Sequence, residues 1–400
     1  MSSPISTPKG GGAVSGLGEK FSPDLFTGTG NFSIPIALPP GRNGFQPELG
    51  LQYSTGSGNS PFGLGWSLSV PGVMRKTAKG VPAYDDEKDT FILSGAEDLV
   101  AVERFLLSSA ENKTGIIPLQ NEEGVINQYR PRTEGLFARI YHLKTNLRNC
   151  WKVMSKNGLI SWYGSKQAFD SDLSLVQKPG NSNSIFAWKL TLTEDPFGNH
   201  IVYTYEKENV RDNDYHRWDQ NYLSEVKYAD YPIGNETRYM VCVRFNYKSR
   251  VDAYSDYKCG FNIRTTQRCE TIQIFTNPQH GEIKTRTYHF QYSDELLPVS
   301  ELPYNAVSLL CKVEVEGHDE AKGTNEFLPP LEFRYSHFKP KQQKFKQLQG
   351  NEMPLASLAN PGFELIDLFG NGLPDIVQIN GVVRYWRNMG DGKFDIPRLM

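Results

Sequence analysis

Short segments in which apolar and polar residues alternate recur along this chain, and turn sequences separate them. The stretch 31–38 alternates, passes through a Pro- and Gly-rich turn at 39–44, and alternates again over 49–53. A period of two places successive side chains on opposite faces of a strand. Helical periodicity is scarce, and residues 301–310 are one short helical candidate. The sequence therefore predicts an all-β protein, with more than a third of its residues in strands and few in helices.

The middle of the chain repeats one unit, a strand, a tight turn and a second strand. Residues 151–164 contain the turn Lys156-Asn157-Gly158, and residues 186–206 contain Asp195-Pro196-Phe197-Gly198-Asn199. Asn and Gly tolerate the positive φ that tight hairpin turns require. Gly198 and Asn199 are therefore predicted to have structural roles, and the region is predicted to form a large hairpin-rich sheet or sandwich.

Charge and apolar content exclude several classes of protein. The chain has 43 Lys and Arg against 45 Asp and Glu, so its formal net charge is -2, and no basic block indicates a nucleic-acid partner. No window approaches the roughly 20 apolar residues of a membrane-spanning helix. Five widely spaced cysteines match neither a disulfide framework nor a zinc site. They are predicted to be reduced.

The N-terminal segment 1–25 is rich in Gly, Ser and Pro and has no apolar core. It is predicted to be a flexible tail and not a Sec-type signal peptide. Export, if it occurs, is therefore expected to use a route other than Sec.

Trp66 follows the sequence Gly63-Leu64-Gly65. Glycines beside a large aromatic residue let another part of the backbone approach closely. No helical run follows them, so the pattern does not indicate a phosphate-binding loop. Trp66 is therefore predicted to be the structural anchor of a close-packed corner.

The segment 363–394 contains a sequence similar to a calcium-binding loop. Asp367, Asn371 and Asp375 stand at positions that supply side-chain oxygens, but Phe369 occupies a position that needs one. Calcium takes about six to eight oxygen ligands. The favoured interpretation is therefore a pair of hairpin turns without a cofactor, and a calcium site at these three residues is the alternative.

Four separated blocks have a resemblance to one family. They are "TGTGNFSIPIALPPGRNG", "LQYSTGSGNSPFGLGWSLSVPGVMRKT", "GVPAYDDEKDTFILSGAEDLV" and, near the far end, "LPPLEFRY". Together they resemble the SpvB-type N-terminal domain of insecticidal toxin-complex B components and of the Salmonella virulence plasmid B proteins. The hairpin with the Asp195–Asn199 turn is similar to RHS/YD repeats, and the last 45 residues resemble the start of an FG-GAP/VCBS propeller.

This resemblance implies a domain organisation. Residues 1–25 would be the tail, 26–340 an SpvB-type β domain with RHS-like strands, 341–360 a polar linker, and 361–400 a first, incomplete propeller blade. A propeller closes with typically four to eight blades. One blade implies a truncated product or a fragment of a longer protein.

The resemblance also implies a function. The chain would be a non-enzymatic structural component of a bacterial toxin complex, forming with an RHS-containing C component a shell around a cytotoxic cargo. The propeller would dock this shell on a pore-forming A component. Two alternatives stay open: a secreted host-binding or adhesion module, and, more remotely, a domain associated with an ADP-ribosyltransferase.

Several acidic residues and the histidines resemble parts of catalytic or metal sites, but simpler structural roles explain them. Glu314 and Glu316 match the Glu-x-Glu of that transferase class, but they lie in an alternating stretch that predicts an exposed strand face. The acidic run Asp85–Asp89 is predicted to be a solvated turn. The seven histidines show no ligand spacing. The sequence therefore predicts no enzyme.

Overall fold

The computed structural model is almost entirely β-structure, as predicted. It describes residues 17–23, 30–94, 97–107, 122–133, 135, 137–166, 172–208, 216–276, 281–319, 323–336 and 344–400. Of the described residues, 53% are in strands and 3% in helices. The predicted strand content is therefore confirmed.

The first four strands form an antiparallel sheet in chain order. They are β1 (Lys20–Pro23), β2 (Gly30–Pro35), β3 (Gly50–Ser54) and β4 (Trp66–Leu68). A 3-10 turn at Arg42–Gly44 lies in the predicted turn between β2 and β3. The predicted tail 1–25 thus includes a paired strand, β1, while residues 1–16, 24 and 25 lie outside the described part.

Eight of the described strands close into a ring. Seven follow in chain order: β5 (Gly72–Arg75), β6 (Phe91–Leu93), β7 (Glu97–Leu107), β8 (Gly124–Pro131), β9 (Arg139–Thr145), β10 (Asn149–Met154) and β11 (Ile160–Tyr163). After β12 (Leu175–Gln177), the eighth, β13 (Ile185–Glu194), pairs with β11 through its second half and with β5 through its first half. All of these pairings are antiparallel.

Strand β13 also begins a long antiparallel sheet. The sheet continues through β14 (His200–Glu208), β15 (Gln220–Ile233), β16 (Glu236–Asp256), β17 (Ile263–Thr276), β18 (Ile283–Tyr292) and β19 (Leu310–Asp319). Two short strands, β20 (Thr324–Phe327) and β21 (Leu331–Glu332), both pair with β19. The predicted hairpins around Gly158 and around Gly198 are confirmed as β10–β11 and β13–β14.

The short helical candidate at 301–310 does not form an α-helix. A single helical turn, α1 (Ser293–Leu296), precedes this segment, and only Glu301 of the segment belongs to a 3-10 turn, Val299–Glu301. Pro303 cannot donate a helical hydrogen bond, and Ala306 has a φ of 51°, which is incompatible with a right-handed helix.

The C-terminal part is a separate antiparallel sheet. Its strands are β23 (Phe363–Ile366), β24 (Asp375–Gln378), β25 (Arg384–Trp386) and β27 (Arg398–Leu399), and β22 (Gln349–Gly350) pairs in parallel with β26 (Lys393–Phe394). The four strands of this sheet lie within 361–400, the segment predicted to be a first propeller blade. A single sheet does not make a propeller, so the propeller stays a prediction. Residues 341–343 of the predicted linker lie outside the described part.

One hydrophobic core joins the first sheet, the ring and the long sheet. The first sheet is tied to the long sheet by hydrogen bonds: the Ala37 N–H donates to Tyr288 Oη at 2.8 Å, and the Cys269 N–H donates to the Pro61 carbonyl at 2.7 Å. All five cysteines are free thiols, as predicted.

The turns at Gly158 and Gly198 offer a matched pair of substitutions. Both glycines have positive φ, 83° and 84°. A Cβ atom at Gly158 would lie 2.7 Å from Pro196 Cγ, whereas one at Gly198 would meet nothing within 4 Å. We expect Gly198→Ala to lower the free energy of unfolding by about 1 kcal/mol through backbone strain alone. Gly158→Ala should cost about 2 kcal/mol or more, because the clash adds to the strain. Urea denaturation of both variants tests this, and equal losses would contradict it.

Candidate functional site

Trp66 is enclosed at the junction of the first sheet with β19. Its side chain is 2% exposed, and its Nε1–H donates to Tyr335 Oη at 2.8 Å. The rings of Phe32, Tyr53 and Phe333 surround it, with centroids 5.0 to 6.3 Å away. Tyr335 in turn donates to the Leu310 carbonyl at 2.7 Å. Trp66 therefore joins β4 to Tyr335, 269 residues later in the chain.

The glycines before Trp66 lie where a side chain would collide with this junction. A Cβ atom at Gly65 would lie 2.4 Å from the Tyr53 ring, and one at Gly63 would lie 2.9 Å from the Ser308 carbonyl oxygen. Both glycines also have positive φ. This motif therefore serves close packing.

A second cluster lies at the end of β5 and was not predicted. The Arg75 side chain is 3% exposed, and its guanidinium contacts Asp86 at 2.6 Å and Asp89 at 2.7 Å. Its Nε–H donates to the Ile185 carbonyl at 2.9 Å, and it lies 4.8 Å from the centroid of the Phe91 ring. The prediction of a solvated turn at Asp85–Asp89 is therefore wrong for Asp86 and Asp89. The charge run alone could not show that a buried cation faces it.

His142 belongs to the same interior. Its ring is fully buried and stacks on Trp151, with centroids 4.3 Å apart and planes 4° apart. Its Nε2 is 2.8 Å from Asn149 Oδ1. Burial lowers the pKa of His142 to about 4, although Asp86 and Asn149 oppose this. Burial raises the pKa of Asp86, but His142, Arg75 and Lys144 together bring it below its usual value.

The low pKa of His142 predicts acid sensitivity. Between pH 6.5, its ordinary pKa, and about pH 4, its folded pKa, the unfolded chain binds a proton that the folded chain does not. Stability is therefore lost as the pH falls through this window, by about 3 kcal/mol from this residue at pH 4. Glutamine does not titrate, so the unfolding free energy of His142→Gln should decrease less steeply as the pH falls. We expect the difference in slope to correspond to the uptake of about one proton on unfolding. Denaturation curves at intervals from pH 4 to 6.5 measure this slope, and parallel slopes would contradict the assignment.

A cleft of about 870 Å³ lies beside this cluster and is lined in part by residues of β7 and β8. Its lining mixes both charge signs, with Glu87, Glu103, Arg104 and Lys144 among its residues, and the described residues that line it include no Ser, Cys or His. The described residues of the lining therefore offer no histidine base for a side-chain nucleophile.

The residues of the calcium-like loop make hydrogen bonds within the loop and its sheet. The Asp367 carboxylate accepts from the N–H groups of Phe369, Asn371 and Gly372, the last at 2.7 Å. These bonds, the one from Gly372 foremost, lower the pKa of Asp367. Asp375 is fully buried and accepts from the N–H groups of Leu368 and Asn388.

Asn371 and Phe369 complete the loop. Asn371 Oδ1 accepts from the Leu373 N–H at 3.0 Å, and the Phe369 ring packs on Tyr385 and beneath Arg387. Among the residues that the structure describes, no group of three or more His, Cys, Asp or Glu is arranged to hold a metal ion. The loop is organised as a turn by its own backbone donors.

This geometry predicts how the loop responds to calcium. We expect Phe369→Asp to add an oxygen beside Asp367, Asn371 and Asp375, so that calcium slows proteolysis of the C-terminal sheet in this variant. Calcium should not change proteolysis of the natural chain or of Phe369→Ala. The measurement is limited proteolysis with calcium or with chelator, following cleavage between about 344 and 361. Protection of the natural chain by calcium would instead assign Asp367, Asn371 and Asp375 as ligands.

Glu314 and Glu316 lie on one face of β19, as the alternation predicted. Glu314 pairs with Lys312 on its own strand, at 3.1 Å. Glu316 contacts His289 Nε2 at 2.8 Å and accepts from the Asn325 side chain at 2.7 Å. These contacts account for both glutamates as cross-strand and same-strand polar pairs.

A family model described as Salmonella virulence plasmid 65kDa B protein matches residues 25–247. Two proteins named mono(ADP-ribosyl)transferase SpvB, from Salmonella choleraesuis and Salmonella typhimurium, are 28% identical to this chain over 314 and 310 residues. These matches cover 68% and 67% of this chain. The chain spans about half the length of these curated relatives.

Solved structures show the same architecture. A crystal structure of TcdB2-TccC3 covers all of this chain with a TM-score of 0.70 and 26% identity, and the match spans 21% of that chain. A Photorhabdus luminescens Tc holotoxin pore covers all of it with a TM-score of 0.72 and 26% identity, over 20% of that chain. The structural neighbours are thus Tc toxin components.

The N-terminal domain of the effector protein SpvB from Salmonella typhimurium covers 72% of this chain and 99% of its own, with a TM-score of 0.59 and 23% identity. At that identity the match shows a shared fold. No helix in the described residues is long and apolar enough to cross a membrane. The family match spans more than half of the sequence, so the chain belongs to the Salmonella virulence plasmid 65kDa B protein family.

Proposed function

We propose that this chain is a non-enzymatic structural part of a bacterial toxin complex, forming part of the wall of a shell that encloses a cytotoxic cargo. One observation carries the proposal: two Tc toxin structures cover the whole chain, including its C-terminal sheet. The SpvB N-terminal domain covers 72% of it. The toxin-complex architecture therefore accounts for more of the chain than the effector domain does.

The long sheet has the two faces that a wall needs. One face packs against the first sheet in the core, and charged side chains pair with one another on the other. Arg244 contacts Glu225 at 2.9 Å and Glu282 at 2.7 Å, and Lys248 contacts Glu295 at 2.6 Å. Such a polar face of the long sheet is hydrated. It would offer few apolar contacts to a cargo chain enclosed by the shell.

The partners follow from this proposal. An RHS-containing C component would complete the shell, and a pore-forming A component would receive it. The complex would act in the extracellular region after export by a non-Sec route. Transferase activity is not proposed for this chain, because Glu314 and Glu316 are engaged in polar pairs on a strand face.

Assembly with an RHS-containing C component tests the proposal. The 400-residue chain is co-expressed with such a component that carries its cargo, and the mixture is separated by size-exclusion chromatography. We expect co-elution of the two chains and slower digestion of the cargo by added protease than in the C component alone. Separate elution with unchanged digestion of the cargo would overturn the proposal.

A further inference from the structure

A pocket of about 620 Å³ lies between the C-terminal sheet and the preceding segment 352–362. Its floor is a row across three strands, in which Gln378 on β24 pairs with Phe363 on β23 and with Arg384 on β25. Residues that are paired across adjacent strands project from the same face of a sheet. The three side chains therefore share the face on which this pocket lies, and all three line it.

The Arg384 side chain is not engaged by the rest of the described chain. Its Nε atom is buried and has no hydrogen-bond partner, and no ion pair to Arg384 occurs among the described residues. A guanidinium offers five N–H donors in a planar fork that matches the two oxygens of a carboxylate. The terminal Nη groups of the same guanidinium also have no partner among the described residues, and they are not buried, so a ligand in the pocket that Arg384 lines can accept from them.

Two amide side chains stand beside this cation. Gln378 and Asn380 line the pocket, and their side chains make no hydrogen bond within the described residues. Each amide can donate two hydrogen bonds and accept two. Ligand hydroxyl or N-acetyl groups next to a carboxylate would satisfy them.

The other walls are largely apolar and set the ligand's size and charge. Phe363, Met353 and Trp386 line them, and the Trp386 Nε1–H is already engaged by the Glu352 carbonyl at 2.8 Å. Sites for small ligands have volumes of about 300 to 1,000 Å³, apolar walls and a few polar groups. Because Glu352 also lines the pocket, the charge of Arg384 is partly offset. A single carboxylate suits this balance better than a polyphosphate.

We propose that this pocket binds an acidic saccharide, such as a sialic or uronic acid. Arg384 binds its carboxylate, Gln378 and Asn380 bind its flanking hydroxyl or N-acetyl groups, and Phe363 contacts an apolar C–H face of the sugar ring. A saccharide is favoured over a peptide terminus because the pocket flanks its cation with two amides and a flat ring. This inference is independent of the proposed role in a shell.

Binding of 3′-sialyllactose to the 400-residue chain, measured by isothermal titration calorimetry beside lactose and glucuronic acid, tests the proposal. We expect 3′-sialyllactose or glucuronic acid to bind at least tenfold more tightly than lactose. Equal binding of all three sugars would overturn the role of the carboxylate. Absence of binding by both acidic sugars at 10 mM, on the order of the weakest specific affinities, would overturn the site.

Variants of the pocket test whether the sugar binds there and not elsewhere on the surface. Arg384→Gln should weaken binding at least tenfold. Arg384→Lys should weaken it less, because lysine keeps the positive charge but lacks the planar set of N–H donors of the guanidinium. Arg398→Gln is the matched control, since Arg398 pairs with Asp395 outside the pocket and should leave binding unchanged. Melting temperatures close to that of the natural chain show that the variants are folded. Natural affinity in Arg384→Gln, or equal competition by acetate or by an acetylated peptide, would contradict the proposal.

Discussion

Replacing Trp66 with alanine is expected to lower the free energy of unfolding by about 3 to 5 kcal/mol. The side chain is 2% exposed, and three aromatic rings and the Tyr335 hydroxyl surround it. Removing the indole leaves a cavity that the first sheet and β19 cannot close without breaking their own pairing. Urea denaturation followed by tryptophan fluorescence and circular dichroism measures the loss.

Two comparisons show whether the loss comes from this packing. Trp66→Phe keeps a ring but loses the hydrogen bond to Tyr335, so it should lose less than Trp66→Ala. Phe197→Ala removes an aromatic side chain that is 81% exposed at a hairpin tip, and it should change stability by less than about 0.5 kcal/mol. If Trp66→Ala and Phe197→Ala had equal stability, Trp66 would not be an anchor.

Replacing Arg75 with methionine is expected to lower the free energy of unfolding by about 3 to 5 kcal/mol. The loss arises because Asp86 and Asp89, whose side chains are 13% and 8% exposed, would keep their charges without the guanidinium. The bond from Arg75 Nε–H to the Ile185 carbonyl, next to the short pairing that closes the ring, would also be lost. Chemical denaturation of the purified variant measures the effect.

Neutralising the two carboxylates as well tests whether their uncompensated charge causes the loss of stability. Adding Asp86→Asn and Asp89→Asn to Arg75→Met should recover part of the stability, because no uncompensated charge remains. Arg104→Ala is the control, since Arg104 and Glu87 are exposed and their ion pair should contribute at most about 1 kcal/mol. A triple variant less stable than Arg75→Met would show that the two aspartates act independently of the arginine.

Local sequence was sufficient for the strands and their turns. The turn at Asp195–Asn199 forms because the Asp195 carboxylate accepts from the N–H groups of Phe197 and Asn199, within five residues. The loop at Asp367 forms in the same way. Such turns can be predicted from sequence because every hydrogen-bond partner lies within a few residues. The short candidate at 301–310 does not form a helix, because Pro303 lacks a backbone donor and Ala306 has a positive φ.

Contacts between residues that are far apart in sequence could not be predicted from such local patterns. Nothing near Asp86 in the sequence identifies Arg75, eleven positions earlier, as a buried partner and not a surface residue. The glycines before Trp66 indicated a close-packed corner, but not the Tyr335 hydroxyl or the Ser308 carbonyl that lie against it. The row of Phe363, Gln378 and Arg384 likewise depends on the register of three strands.

The sequence by itself determined an all-β chain, the positions of its hairpins, and the family to which its spaced motifs belong. These properties depend on alternation and turn chemistry, which act over a few residues. Only the tertiary structure decided that β13 pairs with both β5 and β11 to close a ring and that Arg75 is buried. It also decided that the Arg384 side chain lines a pocket and has no polar partner in the described part of the chain. Alternation shows which face of a strand is apolar. The same alternation would suit pairing with any other strand of similar pattern, so it does not identify the neighbour. The choice of neighbour is made by long-range packing, which no local pattern encodes.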